Sequence, residues 1–463
     1  MDDRICRDIA AAEAFDALAA EREEHLQPLV FTEPTQYTVC TGMRSLVFFG
    51  ESGAGKTALR MALTRAATHD CASPTHLIAQ WQPDPGVAGQ GSPAVRSFVR
   101  QVLASCAINL LMTIARHPQL FSEAAPTAKD ALHWFVQAYT DAERDYLLAA
   151  IAEEIANDTS VAICRNLLTS PAPLVLRPDA TEQRVIALLV HTVQRIGLRG
   201  VWVMMDGFDP WLRSIQSDPI RLLSDVLSTL ELFELHGFAL KIFAPRELEA
   251  VISSSWGARK GRVDLYVLEW DAEQLTQIVE RHIAAKTGRE RIALKEICVA
   301  EAEIRAWFQR YGGHTPRGWL KLARPLVNAF ISSGANRPLS RAEWHAIQRA
   351  HPPRLFIDLN TDRVFVGEAE ISGLQPRSYR LLRYLYENRG RRVPRSELYY
   401  RAYQGLATEP RTSDDRGWEE PATWNNVLDN AILRLRKAIE PDPRKPIYIL
   451  TDRGWGIKLE HTS

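Results

Sequence analysis

Eight residues constrain this chain more than any others: Gly50-Glu51-Ser52-Gly53-Ala54-Gly55-Lys56-Thr57. They complete the pattern GxxxxGK[ST]. The apolar run Ser45-Leu-Val-Phe-Phe49 precedes them, and residues 57–67 resume a helical pattern. A strand that turns through glycines into a helix can point several backbone N–H groups at one anion, and the helix dipole adds its positive end there. The loop is therefore expected to cradle phosphate. Lys56 would reach the β and γ phosphates of a nucleotide, and the Thr57 hydroxyl would ligate Mg²⁺. A ligand-free glycine turn is the competing reading, and the flanking strand and helix argue against it.

Such a loop needs an acid at the end of a second buried strand. Val201-Trp-Val-Met-Met205 leads into Asp206, which is expected to hold Mg²⁺. Asp209 follows across Gly207 and Phe208, placed either to polarise an attacking water or to cap a helix before Pro210. Further strands are expected at 76–80, 239–243 and 265–268. Strands separated by helices predict a parallel α/β sheet covered on both faces.

The order strand, then Asp206-Gly-Phe-Asp209, resembles the NACHT-type Walker B of the STAND ATPases, signal-transducing relatives of the AAA+ ATPases. Pro210 departs from that pattern, where a further acid is usual. Leu240-Lys-Ile-Phe-Ala-Pro-Arg246 resembles the sensor-1 strand of these proteins. Gly312-Gly-His-Thr-Pro-Arg317 resembles the sensor-2 turn of their lid. The resemblance covers roughly residues 30–335 and implies ATP with Mg²⁺. It also implies roles for Arg246 near the γ-phosphate and for Arg317 in telling ATP from ADP. Surface arginines at a strand end and a helix start are the plainer alternatives.

With 463 residues, two or three domains are expected. The predicted division is a lead-in over 1–44 with a helix at 4–24, then a nucleotide core over 45–270. That core holds a helical insertion at about 93–196. A helical lid over 271–335, a linker over 336–352 and a final domain over 353–463 follow. Positive and negative side chains balance to a formal net charge of +0, so any nucleic-acid affinity must come from a local patch. The six cysteines are scattered without metal-ligand spacing, which predicts free thiols in a reducing compartment. No leader is evident after Met1, and no apolar run approaches the roughly 20 residues of a membrane span. A cytoplasmic location is expected.

Residues 354–460 resemble the OmpR/PhoB-type winged helix. Arg354–Leu359 and Arg363–Val366 read as its leading sheet, Val427–Ile439 as the recognition helix, and Ile447–Gly456 as the wing. Candidate DNA contacts are Asn425, Asn426, Asn430, Arg434, Arg436, Lys437 and Arg453. Ala431 and Leu433 are poor donors where relatives often place polar side chains, and a loop over 402–424 carries five acids. A protein-docking winged helix therefore stays open beside a DNA-binding one.

The expected architecture is α/β: a P-loop NTPase sheet with helical insertion and lid, followed by a winged helix. The leading expectation is a STAND-like switch and slow ATPase acting on duplex DNA, with an effector or sensor protein or a nucleotide-dependent homo-oligomer as further partners. The alternatives are an oligomerising ATPase of a defence system and a DNA-remodelling AAA+ ATPase.

Overall fold

A computed structural model describes residues 27–68, 74–83, 92–140, 143–155, 157–177, 179–213, 218–229, 232–254, 261–408, 423–452 and 454–462. The helix expected at 4–24 lies outside them. The chain divides into two units, Met1–Lys286 and Thr287–Ser463.

In the first unit the order is β1 (Ser45–Gly50), α1 (Lys56–Thr68), β2 (Leu77–Trp81), α2 (Ser92–Arg116), α3 (Pro126–Thr140), α4 (Arg144–Glu154), α5 (Asp158–Thr169) and α6 (Glu182–Arg195). Then come β3 (Val201–Met205), α7 (Asp218–Ser228), β4 (Phe238–Pro245), α8 (Leu248–Ser254), β5 (Val263–Val267) and α9 (Ala272–Thr287). The strands form one sheet in the order β2-β3-β4-β1-β5, every pair parallel. All six residues of β1 and all eight of β4 are buried, as expected of central strands covered on both faces.

Side chains alternate between two cores, following the two-residue period of a strand. Val47, Phe49, Val203 and Met205 face the helical insertion, while Leu46, Phe48, Trp202 and Met204 face α1. Lys241 breaks this apolar pattern in mid-β4. It is fully buried, donates to the carbonyls of Gly42 (2.7 Å) and Arg44 (2.9 Å), and lies over the Trp202 ring.

The insertion is α2 to α6. Its long helix α2 corrects one expectation: the stretch Pro93–Arg116 is long and apolar enough to cross a membrane. Scattered Ser, Gln and Asn residues hide that run from a reading by eye. Phe98, Val102, Leu103, Leu110, Leu111 and Ile114 are buried in the insertion core, and α2 packs on β2, α3 and α5.

In the second unit, a single helical turn at Leu294–Ile297 precedes α10 (Glu301–Tyr311), α11 (Pro316–Ser332) and α12 (Arg341–Ala350). A winged helix follows: β6 (Leu355–Asp358), β7 (Arg363–Val366), β8 (Ala369–Glu370), α13 (Pro376–Glu387), α14 (Trp424–Ile439), β9 (Ile449–Asp452) and β10 (Gly456–Leu459). β6-β7-β8 is an antiparallel sheet, and β9-β10 is the wing hairpin, extended by backbone bonds between Val393 and Ile457.

The stretch read as a linker over 336–352 is not one. It contains α12, opened by a reciprocal Ser340–Glu343 capping box and anchored by the buried Trp344, whose ring meets that of Trp307 edge-on. Backbone bonds from Leu339 to Ile297 and from Val299 to Leu339 pin its start.

Nor is the winged helix separate from the helices before it. Tyr311 lies in its core, with Trp307 and Leu322 packed on the same cluster. Glu368 N–H donates to Tyr311 O at 2.9 Å, and Arg310 donates to the carbonyl of Glu440 at 2.6 Å. A Cβ on Gly367, whose φ is +67°, would stand 2.4 Å from Tyr311 O. Only glycine permits that approach in that conformation.

Candidate nucleotide site and recognition helix

β1 delivers the loop and α1 receives it. Gly53 and Gly55 take φ of +84° and +94°, the left-handed turns that bend the backbone around a concavity. Lys56 is buried, and its ammonium donates to Gly50 O (2.8 Å), Glu51 O (3.1 Å) and Asp209 Oδ1 (3.2 Å). All three of its protons are thereby used. Asp209 opens a short 3₁₀ turn, Asp209–Arg213, that follows β3. Its carboxylate thus faces the loop, rather than only capping the turn.

Asp206 directly follows β3, and its backbone N–H bonds to Trp81 O of the neighbouring strand. The buried carboxylate accepts from three donors. Thr57 Oγ1 lies at 2.9 Å and Arg60 Nε at 3.1 Å, both on Oδ2, and Gly207 N–H lies at 2.8 Å on Oδ1. Thr57 and Asp206 offer the hard oxygen donors that Mg²⁺ takes, and it usually draws the rest of its shell from phosphates and water. The residues present therefore fit a nucleotide-borne Mg²⁺. No group of three or more His, Cys, Asp or Glu suited to a metal occurs among the described residues.

β4 lies between β1 and β3, and Pro245 pairs in register with Gly50. Arg246 follows at once and donates its N–H to Gly50 O at 3.1 Å, so its backbone borders the loop. Its guanidinium pairs with Glu249 (2.9 Å) and Glu269 (3.3 Å). Arg317 belongs to the second unit. It is half-buried at the start of α11, behind the Thr315 cap and Pro316.

Two contributors escaped the sequence reading. Trp270 Nε1 donates to Ala54 O at 2.7 Å, bracing the loop from outside, and Arg60 holds Asp206. An Arg one turn after the motif threonine was visible in sequence, but nothing local marked its partner 146 residues away. Parallel sheet and phosphate loop together define the assignment. The first unit has the P-loop NTPase fold.

In the second unit, α14 buries Leu428, Ala431, Ile432, Leu435 and Ile439. The opposite face exposes Asn425, Asn426, Asn430, Leu433, Arg434 and Lys437. Two expectations change. Ala431 is a core residue, so it takes no groove-facing position from a polar side chain. Arg436 is half-buried and donates to Ile449 O from Nε (3.1 Å) and Nη2 (2.6 Å), and to Thr451 Oγ1 (2.9 Å). It ties α14 to the wing instead of standing free for DNA. Desolvation by burial also pulls its pKa down. The fully buried Glu440 completes the joint, accepting backbone N–H groups of Ile447, Tyr448 and Ile449. Asn425 accepts from Arg395, which also pairs with Asp429. Arg453 and the acidic residues of 409–420 lie outside the described residues.

No family model matches the chain. Among curated proteins, it is similar to the sensory transduction protein RegX3 of Mycolicibacterium smegmatis, 30% identical over 135 residues, 29% of this chain and 51% of that protein. RegX3 of Mycobacterium bovis is 34% identical over 85 residues, 18% of this chain and 31% of that protein. The chain thus spans about half, or less, of the length of these relatives. Among solved structures, the Aeropyrum pernix ORC2 protein in ADPNP–ADP complexes aligns over 97% of this chain and 94% of its own, at 10% identity and a TM-score of 0.37. The Thermotoga maritima response regulator DrrB, an OmpR/PhoB homolog, covers 62% of this chain and 77% of its own, at 18% identity and a TM-score of 0.19. TM-scores of this size do not establish a common fold, and the assignment above rests on strand order and loop geometry.

Proposed function

We propose that this chain is a Mg²⁺-dependent ATP-binding switch of STAND-like type, whose nucleotide state controls a DNA-binding winged helix, and that its output is control of transcription. One observation carries the nucleotide half. The phosphate loop brings Lys56 within 3.2 Å of Asp209 and Thr57 within 2.9 Å of Asp206, so ammonium, hydroxyl and two carboxylates converge where a nucleotide's terminal phosphates would lie. In this reading Asp206 supports the metal and Asp209 releases Lys56 to the phosphates and orients the attacking water. Arg246 and Arg317 respond to the γ-phosphate. Support for the output half comes from α11, which carries Arg317 at its start and packs into the winged-helix core through Leu322.

The test measures duplex DNA binding by the full chain with ADP, with a non-hydrolysable ATP analogue and with no nucleotide. Different affinities in the ATP and ADP states are expected. Arg434 and Lys437, with Arg453, would neutralise three phosphates, for a slope of log affinity on log salt of about −3. Nucleotide binding with no DNA binding at low salt in any state would refute the output half alone.

A second reading rests on Leu433, 46% exposed in the middle of the outward face of α14, and on Trp455, 73% exposed beside the wing turn. Apolar side chains there suit a protein partner, as in an oligomerising ATPase of a defence system. ATP-dependent assembly without DNA would favour it.

A further inference from the structure

Arg60 stands one helical turn after Thr57, on a face of α1 whose neighbours Leu59 and Leu63 are apolar core. It points to Asp206, and the side chains of this pair are only 9% and 6% exposed. A guanidinium stays protonated in proteins, so the positive charge is permanent. Two charges taken out of water repay their desolvation poorly, and an apolar residue of similar volume at position 60 would serve packing at least as well. The pair therefore calls for an explanation other than stability.

The acceptor sites of Asp206 supply one. Oδ2 has two lone pairs in the carboxylate plane, and Thr57 and Arg60 take both. Oδ1 receives the Gly207 N–H. The protein's own donors thus neutralise the acid's charge and nearly saturate its acceptor sites. We propose that Arg60 is the resident counter-cation of Asp206, and that it sets how far nucleotide binding depends on Mg²⁺. This rests on the reading of Asp206 as the metal-supporting acid. With a metal–nucleotide bound, Thr57 would offer its oxygen to the cation, and the acceptor site on Oδ2 that it now fills would be free to support the metal. Arg60 keeps the other. Asp206 then divides one negative charge between two cations and holds the metal more weakly than an unpaired carboxylate would. Without metal, Arg60 keeps the acid from repelling the phosphates, so nucleotide still binds.

The test uses the full chain and three proteins: wild type, Arg60→Met and Arg60→Lys. A fluorescent ATP analogue is titrated in EDTA and in Mg²⁺. Mn²⁺ binding is then followed by electron paramagnetic resonance, with protein in excess over a non-hydrolysable ATP analogue. For the wild type, less than about tenfold separation between nucleotide affinities in EDTA and in Mg²⁺ is expected. Arg60→Met should weaken nucleotide binding in EDTA and lower the half-saturating Mn²⁺ concentration by about tenfold or more, since a like charge has left the site. Arg60→Lys, which keeps the charge, should stay near the wild type. Equal Mn²⁺ half-saturation in wild type and Arg60→Met overturns the proposal and leaves the nucleotide site standing. If Arg60→Met does not fold, the wild type decides, and tightening by Mg²⁺ of more than about a hundredfold overturns it. Wild-type protein that binds no nucleotide in either buffer overturns both the proposal and the reading beneath it.

Discussion

Lys56 has a full set of protein partners, and these are the bonds that phosphate oxygens would have to replace. Two loop carbonyls and Asp209 hold its ammonium at 2.8 to 3.2 Å. Phosphate oxygens would replace them with charge-assisted bonds of about 1.5–3 kcal/mol each. Lys56→Ala should therefore weaken ATP at least about tenfold by calorimetry, and unchanged affinity would remove the assignment. Asp209→Asn tests a different quantity. The amide keeps the size but loses the charge that draws Lys56 away from the phosphates, so ATP should bind as tightly or more tightly while single-turnover hydrolysis slows. Wild-type hydrolysis would return Asp209 to the start of its turn with no part in the chemistry. At this scale the motif residues were legible because their spacing is local: loop, hydroxyl and following helix fall within eight positions. Trp270 was not, since its bond to Ala54 spans 216 residues and only the closed sheet creates it.

The buried strands were located by their apolar runs, although β4 extends three residues beyond the expected 239–243. The strand expected at 201–205 is β3 to the residue, because a fully buried parallel strand is an unbroken apolar run. β2 carries His76 at its approach, stacked on Trp202 at 3.9 Å, and α9 carries the buried His282. Burial holds both imidazoles down, to about 4, with Arg199 and Lys241 adding to the effect at His76. An unfolded histidine titrates near 6.5, so between about pH 4 and 6.5 the unfolded chain binds more protons. Stability is then fully present above pH 6.5 and falls as pH drops, by up to about 3 kcal/mol per histidine. Urea midpoints at pH 7 and pH 5 should show the loss, and His282→Leu should flatten it; an unaltered slope would place the proton uptake elsewhere. On α14 the face was legible but the role of Arg436 was not, because its acceptor Ile449 O belongs to a strand that pairs later in the chain. Arg436→Ala should lower the melting temperature of the winged helix. Lys437→Ala should leave melting unchanged and make the salt slope of DNA binding shallower by about 0.9. The reverse pattern would return Arg436 to the DNA surface.

At the level of the whole molecule, a change in composition near Arg354 looked like a boundary and is not one. Tyr311, Trp307 and Leu322 belong to the same core as α14, and the carbonyl of Pro353 accepts from the buried Tyr448 hydroxyl. A fragment starting at 354 loses a buried aromatic worth about 3–5 kcal/mol, against a total stability of about 5–15 kcal/mol for a whole domain. Residues 287–463 should unfold in one cooperative transition with dispersed amide resonances, whereas 354–463 should melt far lower or aggregate. Equal stability of the two would make the helices before the winged helix dispensable to it. Sequence could not show this, because Tyr311 occupies an ordinary apolar position of an ordinary amphipathic helix until the β7–β8 turn closes on it. That closure bears on where the chain can be cut. Gly367 has no room for a side chain over Tyr311 O, so the turn and its socket fit only each other. A terminal domain cut out at residue 352 would be a head without its seat, so the smallest piece that carries this winged helix intact includes α10 and α11.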